Sequence, residues 1–147
     1  RPSSRGTIMA HSADPLDRPL IRPNYFSDPD DIRVMIAGLR QARNILAQPA
    51  FKHYSVEETV PGLENQSDDD LEKFARENGS IIYHPVSTCK MGEDPMSVVD
   101  SRLRVHGIQG LRIVDASIMP TVTTGNTNAP TIMIAEKASD MILEDIM

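Results

Sequence analysis

Three stretches of this chain repeat apolar residues at helical spacing, and what lies between them is too short and too polar to build a sheet of its own. Asp28-Pro29-Asp30-Asp31 is a helix start: a cap residue, a proline at the first position, and acids beside the positive end of the helix dipole. Ile32, Met35, Ile36, Leu39, Ala42, Ile45 and Leu46 follow at helical intervals. Pro49 disfavours helix in the residue before it, so this helix is expected to stop near Gln48. Ser67 caps a second helix that runs to about Glu77, with Asp68-Asp69-Asp70 as its water-facing start and Gly79 as its terminator. A third helix runs from about Pro130 to Ile146, with Ile134, Ala135, Ala138, Met141 and Ile142 on its apolar face. The strand candidates are shorter: Arg5 to Ala10, Val98 to Asp100, Leu103 to Val105, and Leu111 to Val114, the clearest of them. Ser80 to Tyr83 reads as a short strand or a helix tail. These strands cannot close a sheet alone. The expected fold is therefore α+β (mixed α/β), with short strands completing an antiparallel sheet and helices flanking it.

The connections carry information too. Ala13 to Pro29 is rich in Pro, Asp and Arg and reads as an extended loop, unusual inside an independent domain and suited to lying across something else. Ala50 to Gln66 reads as irregular with a turn at Pro61-Gly62, Asp94-Pro95 as a turn, Gly107 and Gly110 as a hairpin-like turn, and Pro120 to Asn128 as a loop. The length, 147 residues, is that of one domain, and a formal charge of -6 argues against a nucleic-acid partner. Apolar runs are far too short for a bilayer span. The single Cys89 cannot form an internal disulfide, which fits a reducing, cytoplasmic compartment.

Two segments have the residue types of half an active site. In Tyr83-His84-Pro85-Val86-Ser87-Thr88-Cys89-Lys90-Met91-Gly92 a histidine sits among turn-prone small residues. Later in the chain, Gly125-Asn126-Thr127-Asn128-Ala129-Pro130-Thr131 opens directly into the last helix. A histidine can take a proton at physiological pH. An asparagine is no base, but it can hydrogen-bond a charge that develops on a neighbouring oxygen. The residues alone leave simpler readings open: His84 as an inert turn histidine, Asn126 and Asn128 as loop and cap residues, and Asp115 as a turn residue at a strand end. His106 reads as structural, and His11 and His53 have no partner pattern. No H-x-x-x-H or C-x-x-C spacing points to a metal, and Cys89 reads as a buried small residue rather than a nucleophile. Ser117 lacks the G-x-S-x-G frame of a hydrolase.

The His84 segment resembles the glucose-methanol-choline oxidoreductase family, and similarly so do Val98-Val99-Asp100, Leu103-Arg104-Val105-His106-Gly107 and Gly110 to Pro120. Gly125 to Thr131 followed by Ala135-Glu136-Lys137-Ala138 makes the resemblance specific, and Ser4-Arg5-Gly6, Asp14-Pro15 and Asn24-Tyr25 extend it over nearly the whole chain. It is similar to the choline dehydrogenase branch. What is covered is the family's C-terminal region, so the chain is expected to be an inactive fragment of a longer protein whose N-terminal FAD domain carries G-x-G-x-x-G; no such motif stands here. The resemblance implies that residues 1–110 belong to the substrate-binding domain and that 111–147 return, as strand and helix, to the FAD domain.

The resemblance further implies FAD as cofactor and a primary alcohol, such as choline, as substrate. His84 would be the general base and Asn126 its hydrogen-bonding partner. Tyr83, Asp115, Ala116, Thr127, Asn128, Pro130 and Thr131 would contact the cofactor. The N-terminus of the last helix, aimed at the flavin pyrimidine, would favour the negative charge of the reduced ring. Two positions vary in the family: many members have glycine where Ser87 stands, a change expected to alter packing rather than chemistry, and position 126 is either His or Asn. Expected partners are the chain's own FAD domain and, for the isolated fragment, a second copy covering its exposed sheet edge; the full-length protein is expected in the cytoplasm, free or peripheral to a membrane. The rival reading is a non-catalytic scaffold module that inherited the motif.

Overall fold

The computed structural model describes residues 1–54 and 57–147; Ser55 and Val56, within the stretch expected to be irregular, lie outside the described residues. The chain forms two compact units, Pro2–Ser80 and Ile81–Met147. No helix is long and apolar enough to cross a membrane among the described residues.

The first unit pairs two strands and two helices. β1 (Thr7–Met9) lies antiparallel to β2 (Leu20–Arg22), in the register Thr7 to Arg22, Ile8 to Ile21 and Met9 to Leu20. β2 lies inside the stretch expected to be an extended loop; Leu20-Ile21-Arg22, flanked by Pro19 and Pro23, offers only three residues of strand pattern. Gly6 lets the backbones meet: a Cβ there would collide with the Arg22 and Pro23 carbonyl oxygens. The segment before β1 is tied to the helix that follows, since the Ser3 and Ser4 amides donate to the Asp31 carboxylate at 2.7 and 2.8 Å.

α1 (Pro29–Leu46) starts as its sequence dictates, with the Asp28 carboxylate accepting from the Asp30 amide. Its inward stripe is narrower than expected. Ile32 is buried, whereas Met35, Ile45 and Leu46 are exposed. In the final turns Arg43 takes the inward position, donating to both Glu58 oxygens and to the Gly62 carbonyl. α2 (Asp68–Asn78) packs on α1 with Leu71 and Ala75 buried. Ser67 and Asp70 close a reciprocal capping box at its start. Gly79 ends it, but in an extended conformation (φ -62°) rather than a left-handed one.

The second unit is organised around one helix and many loops. Its core gathers Val99, Leu103, Ile118, Met119, Ile134 and Ala138. α3 (Asn128–Ile146) contributes only Ile134 and Ala138 as fully buried apolar residues, and Ala135 and Ile142 of the expected face are exposed. A short 3₁₀ turn, Ala116–Ile118, packs against α3.

The expected strands at 98–100, 103–105 and 111–114 do not form as strands. They reduce to single bridges: Met91 with Val99, Val99 with Val105, and Arg104 with Arg112. Leu103 is the reason the ladder stops, since its φ of +63° turns the chain out of the extended region between Asp100 and Arg104. Asp100 completes that turn by accepting from the Arg102 and Arg104 amides at 2.8 and 3.0 Å. Ser80–Tyr83 is neither strand nor helix. The acidic last turn of α3 lacks a basic residue of its own. Arg102 supplies the missing positive charge, donating to the Met141 carbonyl, Glu144 and Asp145, while Arg112 pairs with Asp145.

Candidate active site

His84 is held between two unusual backbone positions. Tyr83 before it has φ +61° and Ser87 after it has φ +74°, left-handed values that cost a non-glycine residue about 1 kcal/mol or more. These turns fix how the His84-Pro85-Val86 segment leaves the chain. The segment after it is fastened to the residues around the 3₁₀ turn by three bonds. The Ser87 hydroxyl donates to the Met119 carbonyl at 2.7 Å, the Cys89 amide to Ser117 at 3.1 Å, and the Met91 amide to Ile118 at 2.8 Å. Ser87 thus occupies a left-handed position that glycine would take without strain, and its hydroxyl adds a bond that glycine lacks.

The imidazole is half-buried, and its Nδ1 lies 2.8 Å from the Thr127 hydroxyl. Thr127 is buried, and it stands at the N-terminal boundary of α3 in a helical conformation (φ -80°, ψ -7°). In that conformation its side chain makes no capping bond to its own helix. The hydroxyl goes to His84 instead. The Thr127 carbonyl is fixed from the other side, accepting from the Thr131 amide at 3.0 Å and the Thr131 hydroxyl at 2.7 Å. With no side-chain cap, the Asn128 and Ala129 amides have no partner within the helix, and Pro130 has no amide to leave unpaired.

The remaining candidate residues are placed as follows. Asn126 is exposed, and among the described residues its carboxamide makes no hydrogen bond; the bond to His84 comes from its neighbour, Thr127. Asp115 is exposed and accepts from the Ser117 amide at 2.7 Å, capping the 3₁₀ turn that begins at Ala116. Tyr83 is 83% exposed, so its ring is free to meet a large flat ligand. Asn128 is exposed, while Pro130 and Thr131 are half-buried. His106 Nε2 donates to the Gly92 carbonyl, 3.0 Å away, a loop-to-loop tie. Cys89 is a half-buried free thiol. Among the described residues, no three His, Cys, Asp or Glu side chains gather as they would around a metal.

The His84–Thr127 contact was not legible in the sequence. A threonine before a helix reads as that helix's own cap, and only its helical backbone angles redirect the hydroxyl. A recess of about 820 Å³ lies elsewhere in this unit, between the Gly107–Gly110 turn and Ile142, Asp145 and Ile146 of α3. Two carboxylates of this unit are held ionised by their bonds. Asp94 is pushed down to about 2 by bonds from Lys90, Ser97 and the Met96 amide. Burial of Asp100 pushes its pKa up, but bonds from the Arg104 amide and guanidinium and the Arg102 amide outweigh it, so the net displacement is downward.

This geometry has clear relatives. The family model for GMC oxidoreductase, C-terminal region, matches residues 2–135. An alcohol dehydrogenase (acceptor) from Pseudomonas putida is 52% identical over 145 residues, 99% of this chain and 26% of that protein. An oxygen-dependent choline dehydrogenase from Pseudomonas savastanoi pv. phaseolicola is 51% identical over 142 residues, 97% of this chain and 25% of that protein. Among solved structures, pyridoxine 4-oxidase from Mesorbium loti superposes with a TM-score of 0.88 at 33% identity, covering 95% of this chain and 27% of that one. An FAD-dependent oxidoreductase from Chaetomium thermophilum does so with a TM-score of 0.87 at 32% identity, over 95% of this chain and 24% of that one. The chain belongs to the GMC oxidoreductase family and corresponds to its C-terminal region. It spans about a quarter of the length of the relatives it matches.

Proposed function

We infer that this chain is the C-terminal part of an FAD-dependent oxidoreductase acting on CH–OH groups, in which His84 is the general base. Residues 1–110 belong to the substrate-binding domain, and 111–147 return to the FAD domain. The observation that carries this reading is the constrained histidine: positive-φ residues on both sides, and Nδ1 bonded to a buried threonine. Inert turn histidines have no need of such a setting.

The residues present fit a flavin in two respects. The exposed Tyr83 ring offers a flat face, and α3 opens with two uncapped amides, which suit the electron-rich end of a ring. Tyr83, Asp115, Ala116, Thr127, Asn128, Pro130 and Thr131 would hold the group, with Asp115, Thr127 and Thr131 acting chiefly through backbone, since their side chains are engaged within the chain. When bound, FAD supplies the hydride acceptor. His84 takes the hydroxyl proton of the alcohol at its ring nitrogen. The Asn126 carboxamide, exposed at the mouth of the loop, donates a hydrogen bond to the alcohol oxygen as charge develops there. The substrate class is a small primary alcohol, and choline is the first to test, given the two relatives named above.

The test uses the full reading frame purified with its flavin. Anaerobic mixing with choline and a panel of simple primary alcohols should bleach the flavin absorbance. In His84→Ala the bleaching rate should fall by about 10²–10⁴-fold, the usual contribution of a general base. A folded, colourless protein, or a His84→Ala variant that bleaches at the parental rate, would overturn the assignment.

A further inference from the structure

We propose that Thr127 is the positioning residue for His84: its hydroxyl accepts the Nδ1–H bond and thereby leaves Nε2 as the nitrogen that exchanges a proton with substrate. The proposal rests on His84 being the base, as inferred above. Three observations lead to it. Nδ1 and the Thr127 hydroxyl are 2.8 Å apart, and no other hydrogen bond to this ring occurs among the described residues. Thr127 is buried and its hydroxyl is diverted from the capping role that its position before α3 would give it. Its backbone is immobilised by two bonds from Thr131 in the first turn of α3, so the hydroxyl is presented from a rigid element rather than from a mobile loop.

The chemistry follows from the two ring nitrogens. A neutral imidazole holds one hydrogen, and only the other nitrogen can accept a proton. A hydroxyl can donate or accept. If it donated to Nδ1, the hydrogen would sit on Nε2 and the outward nitrogen could not act as a base. If it accepts, Nδ1 keeps its hydrogen and Nε2 has a free lone pair. The proton leaving the alcohol oxygen then forms a bond to Nε2, giving an imidazolium whose Nδ1–H is already bonded to Thr127. The electron pair stays on the alcohol oxygen. The threonine therefore serves the neutral and the protonated ring without moving, which a capping threonine elsewhere on a helix could not do. The same contact ties the base to the helix whose uncapped N-terminus is assigned to the flavin.

The test has a readout independent of turnover. The flavin-loaded full-length protein is labelled with ¹⁵N at histidine, and the His84 nitrogens are assigned by their loss in His84→Gln. Two-bond ¹⁵N–¹H correlations should show His84 hydrogen on Nδ1 in the parent. Thr127→Val, equal in shape, should move the hydrogen to Nε2 and slow flavin reduction by roughly ten- to a hundredfold, a part of the whole base contribution, with little change in KM. Thr127→Ser should restore the Nδ1 tautomer and most of the rate. Hydrogen on Nε2 in the parent, or a Thr127→Val protein with the parental tautomer and rate, would overturn the proposal. Failure of the underlying reading looks different: His84→Gln would then reduce flavin at the parental rate whatever the tautomer.

Discussion

The helical unit Pro2–Ser80 and the loop-built unit Ile81–Met147 solve the same problem with different bonds. In the first, backbone groups are satisfied within helices and one short hairpin, and the termini carry their own caps: Asp28 for α1 and the Ser67–Asp70 box for α2. In the second, segments with no repeating structure are tied across long sequence separations: Ser87 to Met119, Cys89 to Ser117, Met91 to Ile118, Arg102 to Glu144. The helical unit tolerates ordinary dihedrals almost throughout its two long helices. Its left-handed non-glycine residues, Asn24 and Phe26, lie in the loop before α1, whereas the loop-built unit holds Tyr83 and Ser87 around His84 and Leu103 in its core, with Ser87 tied to Met119. The candidate histidine sits between two of these left-handed positions. Regular elements give stability cheaply, but a ring that must meet its neighbour at 2.8 Å across 43 residues of sequence is placed by cross-ties and a packed core.

That contrast can be broken by mutation. Leu71 and Ile118 are each buried at or below 1% exposure, one in each unit. Truncation of either to Ala should cost about 2–5 kcal/mol. The difference lies in what is lost beside stability. Ile118→Ala should also expose the Cys89 and Met91 amides to hydrogen exchange and slow flavin reduction, because the His84 segment is fastened there. Leu71→Ala should lose protection in α2 and leave the reduction rate of the folded fraction unchanged. Equal effects on the rate would mean that the two units do not divide structural from chemical duties in this way.

A smaller effect compares one serine in each unit. Ser67→Ala removes a helix cap and should cost about 1 kcal/mol by denaturant unfolding. Ser87→Ala keeps the left-handed backbone but loses the bond to Met119, and should cost about 0.5–1.5 kcal/mol. Ser87→Gly loses the same bond but relieves the backbone, so it should fall within about 0.5 kcal/mol of the parent. A Ser87→Gly protein that is as weak as Ser87→Ala would show that the φ of +74° carries no cost.

The smallest effect is with acid. Asp31 and Asp70 in the first unit and Asp94 and Asp100 in the second all have depressed pKa values. For Asp31 the chief cause is the bond from the Ser4 side chain, and for Asp70 the bond from the Ser67 side chain. A carboxylate depressed on folding contributes fully above its ordinary value, and that contribution is lost as pH falls through the folded value. For Asp94 the window runs from about 4, the ordinary aspartate range, down to about 2. Stability should therefore be flat above pH 4 and decline below it, and Asp94→Asn should flatten the lowest part of that decline. A decline that begins near pH 6 would point to histidines instead.

How much of this was legible depends on how local the cause was. The three long helices were, because caps, acids and apolar periodicity act within a few residues; Asp28, Ser67 and their first turns behave as written in the sequence. Inward faces were less so. Arg43 displaced the apolar residues expected there because Glu58 and the Gly62 carbonyl wait across the gap, and no helical period encodes that. The strands at 98–114 failed because Leu103 leaves the extended region, a choice made by burial of its side chain in the core.

The sequence by itself determined the helix boundaries and the family to which the chain belongs, and singled out His84 as the candidate base, since each follows from residue types and short spacings. The tertiary structure alone decided that β2 pairs with β1, that Ser87 stands in a glycine-like backbone position, and that Thr127 rather than Asn126 meets His84. The physical reason is common to all three. A pairing, a dihedral under strain and a side chain's direction are set by what the rest of the molecule presses against them, and adjacent residues such as Asn126 and Thr127 differ in role only through the backbone angle at which the helix begins.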